Sequence, residues 1–158
     1  VVELDQLAMQ QIDESGINHG FAHLLKLRAS QINQCAFCIR LHTQDALQAG
    51  ENIDRITLLN AWSETEYFNE QERAALSLIE AITLVSEGQV DNAIYEDALP
   101  FLTYAQISAI EWLAIVINMW NRNRKFNIYY RAFNGYYHSF IHIKISLLNR
   151  VSTSNNIN

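Results

Sequence analysis

Three observations make this an all-α chain. Apolar residues recur at helical spacing along most of its length. A single proline and five glycines leave few sharp turns in 158 residues. No run alternates apolar with polar side chains between hairpin signals. The length and a hydrophobic content of 49% suit one domain with a sizeable core.

The expected helices number six to seven. Leu4, Leu7, Ala8 and Ile12 form a stripe at i, i+3, i+4 and i+8 on a first helix that stops near Ser15-Gly16. A second begins after Gly20 and runs through Phe21, Leu24, Leu25, Leu27 and Ile32. A third starts at Cys35 and ends at Gly50, a residue type favoured just past a helix C-terminus. Ile53 to Trp62 reads as a short fourth. Asn69 with Glu72 forms a capping box that opens a long helix, carrying Leu76, Ile79 and Ile82 and ending at Gly88. Asp91 caps a short helix that ends before Pro100. Thr103 with Gln106 is a second capping box, before Ile107, Ile110, Leu113, Ala114, Ile117 and Trp120. That last helix is apolar nearly all round, which predicts burial at the centre of the fold or in a subunit interface.

Charge divides the chain. Residues 1–121 hold all 17 acidic side chains and 5 basic ones, a net of −12, whereas residues 122–158 hold 6 basic side chains and no acid. An acidic body is a poor partner for nucleic acid, whose phosphates need Lys and Arg. We therefore expect a domain over 1–122 and a basic, aromatic tail over 123–158 that docks on an acidic body, its own or a neighbour's. Within the tail, Tyr136 to Ile143 fits a strand or an apolar helix, and Ser152 to Asn156 reads as disordered. Val1 to Asp5 has no basic, apolar leader, and no stretch approaches the roughly 20 apolar residues that span a bilayer. Both features point away from membranes and towards the cytoplasm, where a cysteine pair is more often catalytic or metal-binding than structural.

The chemistry-bearing stretch is Cys35-Ala36-Phe37-Cys38-Ile39-Arg40-Leu41-His42, which contains the only two cysteines. On a helix, Cys38 and His42 at i and i+4 lie on one face, and Cys35 shares it. A thiolate is the reactive form, and a helix start favours it. His42 is placed to take the proton of Cys38, directly or through water, which makes Cys38 the natural attacking thiol and Cys35 the resolving one. The rival is zinc on Cys35, Cys38 and His42, with a fourth ligand from His23 or a carboxylate such as Glu80. Structural zinc usually draws on a second cysteine pair, and this chain has none. A thioredoxin-like fold needs flanking strands, which are missing from the pattern. His19, His138 and His142 are lone histidines without an assigned role. Trp62, Trp112 and Trp120 sit at helical spacing, as core or interface residues do.

The run Leu24-Leu25-Lys26-Leu27-Arg28-Ala29-Ser30-Gln31-Ile32-Asn33-Gln34 before the pair and Thr43 after it complete a motif. It closely resembles the core of the carboxymuconolactone decarboxylase superfamily, in the alkylhydroperoxidase D-like branch that carries Cys-x-x-Cys-x-x-x-His. Ala61 to Thr65, Glu72 to Leu76 and Ile117 to Arg122 resemble the same branch, so that the likeness covers about residues 1–122. The resemblance implies an all-helical fold assembled into trimers or hexamers through apolar helices. It also implies an antioxidant peroxidase that reduces organic hydroperoxides and is regenerated by a dithiol donor protein or a lipoyl group, with no cofactor or metal. By position it assigns attack to Cys38, resolution to Cys35 and proton relay to His42. True lactone decarboxylases lack the cysteine pair, which disfavours that chemistry. The family's relay glutamate, twelve residues before the first cysteine, is replaced by His23, whose imidazole can itself pass a proton; Glu80, amid apolar helix residues, is the candidate for a substituting carboxylate, with an exposed acid on the polar face as the other reading. Two alternatives stand beside the peroxidase: a zinc-stabilised or purely structural oligomer without turnover, and a general disulfide reductase.

Overall fold

The computed structural model describes residues 2–133, with side chains through Arg124. The expectations for Tyr136 to Ile143, for Ser152 to Asn156 and for docking of the tail lie outside the described residues. The described residues contain seven α-helices and no strand: α1 (Val2–Ser15), α2 (His19–Ile32), α3 (Ala36–Gln48), α4 (Ile53–Leu58), α5 (Glu70–Thr83), α6 (Asn92–Ala98) and α7 (Tyr104–Phe133), with a 3-10 turn (Leu59–Glu64) after α4. The backbone of α7 continues past Arg122 as unbroken helix. The segment Val1–Arg124 forms one compact unit, which contains the core and the site below.

The predicted caps are present. Asn69 Oδ1 accepts from the Glu72 backbone N–H (2.9 Å) while the Glu72 carboxylate accepts from Asn69 N–H (3.0 Å), a reciprocal box at the start of α5. Gln106 N–H donates to Thr103 Oγ1 (3.2 Å) and Thr103 N–H to Gln106 Oε1 (3.0 Å). Asp91 accepts from Ala93 N–H to open α6. Asn18, not Gly20, begins α2, accepting from Phe21 N–H.

Three expectations need correcting. The Leu4/Leu7 side of the α1 stripe faces solvent, and only Ala8 and Ile12 are buried. The segment Ile53 to Trp62 is not one helix: α winding stops at Leu58, and the chain kinks at Ala61 (φ −122°). Arg73 holds that tight turn by donating to the carbonyls of Trp62, Ser63 and Thr65. The helix α5 stops at Thr83, five residues short of Gly88, in a turn where Leu84 N–H reaches back to Glu80 O. Within the single chain the helix buried nearly all round is α2, with Phe21, Ala22, Leu24, Leu25, Lys26, Leu27, Ala29 and Ser30 all shielded. It packs chiefly on α3 and α5. In α7, Ile110, Leu113, Ala114 and Ile117 are buried, but Tyr104, Trp112 and Ile115 are exposed (73%, 50% and 51%).

The passage from α2 to α3 sets where the cysteines stand. Gln34 N–H bonds Gln31 O and Cys35 N–H bonds Ser30 O (both 3.0 Å), the paired closure that ends a helix through a left-handed residue. The same closure ends α1 at Gly16 (φ 78°) and α3 at Gly50 (φ 88°). At α2 the left-handed residue is Gln34 (φ 53°), so no glycine marks this helix end in the sequence.

Candidate active site

Cys35 occupies the N-cap of α3, with extended backbone, and Cys38 lies in the first turn. The two are joined as a disulfide with Cα atoms 5.3 Å apart, and both are buried. Bonded to each other in this oxidised form, the sulfurs offer no thiolates, and the zinc set of Cys35, Cys38 and His42 belongs to the reduced protein. Phe37 between them is 41% exposed, and the Arg124 guanidinium sits 4.0 Å over its ring. Leu41, one turn on, is also exposed, so apolar surface flanks the shielded sulfurs.

Polar side chains anchor this end of α2. Asn33 Nδ2 lies within hydrogen-bonding distance of Ala29 O, Asn118 Oδ1 and Asn121 Oδ1 (2.9, 2.8 and 2.9 Å). Asn121, fully buried, donates to Ser30 Oγ, and Asn118 donates to Thr83 Oγ1. The Ile117 to Arg122 motif thus ties α7 to the residues just before Cys35, and buried amides with partners resist displacement.

His42, one turn after Cys38, is buried, and its Nδ1 lies 3.3 Å from Asp45 Oδ2 on the same helix. His23 enters from α2. Its Nδ1 lies 3.8 Å from the same carboxylate oxygen, and its ring stacks on that of His42 at 6.1 Å with an interplanar angle of 26°. Neither Nδ1 is hydrogen-bonded. Burial pushes His42 down to about 4, and the nearby Lys26 cation acts in the same direction against the opposing charge of Asp45. Burial and Lys26 lower His23 as well. Both imidazoles are therefore neutral bases near neutral pH. Lys26 itself is 2% exposed and is held by Asp5 of α1 at 2.8 Å.

The structure thus brings His23 and His42 together around Asp45, a polar residue of α3 to which the sequence assigns no role. Its signal was the i, i+3 spacing from His42. Glu80 is not part of this group. It stands on α5, where Arg28 Nε (2.5 Å) and Trp62 Nε1 (2.7 Å) both donate to Oε1.

Comparison with known proteins relates the chain to a family and a fold. The sequence model of the carboxymuconolactone decarboxylase family matches residues 2–81. The uncharacterized protein YdfG of Bacillus subtilis (strain 168) is 39% identical over 109 residues, 69% of this chain and 74% of that protein. The crystal structure of an Agrobacterium tumefaciens protein of unknown function, likened to the antioxidant defence protein AhpD, superposes with a TM-score of 0.68. It is 33% identical and covers 77% of this chain and 83% of that one.

Proposed function

This chain belongs to the carboxymuconolactone decarboxylase family, in its alkylhydroperoxidase D-like branch, and on that premise we propose that it is an antioxidant thiol peroxidase that reduces organic hydroperoxides. The observation that carries the reading is the cysteine pair at the start of α3 with a neutral, buried His42 one turn on. In the reduced protein, Cys38 in the first turn of α3 benefits from the positive end of the helix. His42 Nδ1 is turned to Asp45, which leaves Nε2 to take the Cys38 proton. The thiolate attacks the outer oxygen of the hydroperoxide. The O–O bond breaks, Cys38 becomes a sulfenic acid, and the alkoxide leaves as the alcohol with the proton held by His42. Cys35 then attacks the Cys38 sulfur, forming the disulfide and releasing water. An external dithiol, a donor protein or a lipoyl group, restores both thiols by exchange.

His23, in place of the family's glutamate, shares the Asp45 carboxylate with His42 and would pass protons onward. Glu80 is read here as a brace, because its carboxylate is taken by Arg28 and Trp62. The exposed Phe37 and Leu41 favour an organic substrate over hydrogen peroxide. Tyr104, Trp112 and Ile115 on α7 are suited to contact with further copies of the chain, as a trimer or hexamer requires. No helix among the described residues is long and apolar enough to cross a membrane. A cytoplasmic setting would keep the pair supplied with reductant.

The test is consumption of cumene hydroperoxide by wild-type protein with a dithiol donor. One peroxide lost per donor dithiol oxidised is expected, with a higher kcat/KM than for hydrogen peroxide. Donor oxidation without peroxide loss would assign the pair to disulfide exchange instead.

A further inference from the structure

We propose that His23 Nδ1, His42 Nδ1 and Asp45 Oδ2 form a zinc site that is complete without the cysteines. It differs from the zinc set considered for the sequence, which needs both thiolates and hence the reduced protein.

The geometry comes first. One carboxylate oxygen faces two imidazole nitrogens at 3.3 and 3.8 Å, and the donor atoms of the three residues all lie within 4.8 Å of one another. Tetrahedral zinc, with bonds of about 2.0–2.1 Å, holds its ligand atoms about 3.3–3.4 Å apart. His42 and Asp45 already have that separation; His23 lies 3.8 Å from the same oxygen, and the three donors, spread within 4.8 Å, have to contract around the ion. Two nitrogens and one oxygen also suit zinc better than magnesium or calcium, which take oxygen.

A second observation is the burial of the donors. The His42 side chain is only 9% exposed, and its Nδ1 is buried without a hydrogen bond while aimed at Asp45; His23 Nδ1 is in the same condition. A buried polar nitrogen without a partner is costly in a folded protein, and two that converge on one carboxylate are satisfied together by one cation. The Lys26 ammonium would repel that cation, but Asp5 pairs with it at 2.8 Å, so the cluster with Asp45 keeps one unmatched negative charge. Three protein ligands leave a fourth tetrahedral position for water, the pattern of an accessible rather than a closed site.

The test uses the full chain in its disulfide form, stripped with chelator and titrated with Zn2+ by calorimetry. One zinc per chain with a Kd of about 1 µM or tighter is expected. His23→Gln and Asp45→Asn should each weaken binding by about 100-fold, with circular dichroism confirming that each variant is folded. Should either variant fail to fold, Co2+ in the wild-type protein decides: tetrahedral visible bands without sulfur charge transfer are expected. Absence of saturable binding, binding unchanged in both folded variants, or binding that appears only after the disulfide is reduced would each overturn the site. Because zinc is measured with the thiols locked, failure here leaves the thiol chemistry untouched, and failure of the peroxide assay leaves the zinc site untouched.

Discussion

Cys38→Ser is expected to lower hydroperoxide consumption by on the order of 10³-fold or more. A serine hydroxyl at this position is not ionised near neutral pH and cannot form the sulfenic acid through which the peroxide oxygen is removed. His42 offers no rescue, since a base one turn away accepts a proton but forms no bond to oxygen here. The variant should fold normally, because serine is slightly smaller than cysteine and the site stays closed around it; Cys38 is 3% exposed. Loss of the disulfide makes the comparison fair only against reduced wild-type protein, so stability is measured on that form. Steady-state assay with cumene hydroperoxide and a dithiol donor supplies the number. Retained activity would mean that Cys35 or another group attacks.

The second large effect separates the two acid–base candidates. His42→Gln, assayed with chelator present, should cost about 10²- to 10⁴-fold in kcat/KM, the usual worth of a positioned general base. Glutamine keeps the volume and a polar tip but takes up no proton, so thermal stability should change little. Glu80→Gln should behave the opposite way. It leaves peroxide turnover per folded molecule within about twofold while lowering stability by about 1–3 kcal/mol, because Arg28 and Trp62 lose the charge they share. Their side chains and that of Glu80 are mostly shielded, so solvent does not replace the carboxylate fully; Arg28 and Glu80 are 18% and 24% exposed. A reversed pattern, with Glu80→Gln inactive and His42→Gln active, would move the relay to α5.

Much of this arrangement was legible from residue types alone, where local chemistry decides structure. Asn69 with Glu72, Thr103 with Gln106 and Asp91 announced helix starts because their side chains satisfy free backbone N–H groups, and all three caps are present. The pairing of Cys35, Cys38 and His42 on one helix follows from spacing in the same way. What escaped depends on distant partners. Gln34 adopts a left-handed backbone where glycine would have been the visible signal. Lys26 is buried because Asp5, on another helix, reaches it, and no periodicity reveals such a pair. The break after Leu58 reflects Arg73 gripping carbonyls from α5, with Trp62 turned to Glu80. Asp45 looked like one more polar residue on α3 until α2 laid His23 beside it. In the proposed relay, His23 and Asp45 would together supply an imidazole and a carboxylate beside His42.

The division of labour between the thiols is the central claim, and the mass of reduced Cys35→Ser after one equivalent of cumene hydroperoxide tests it most directly. With no resolving thiol, the oxygen should remain on the protein as a sulfenic acid trapped by dimedone, one adduct per chain, located by fragmentation at Cys38. An unmodified Cys38, with peroxide still present after the wild-type protein has consumed its share, would contradict it.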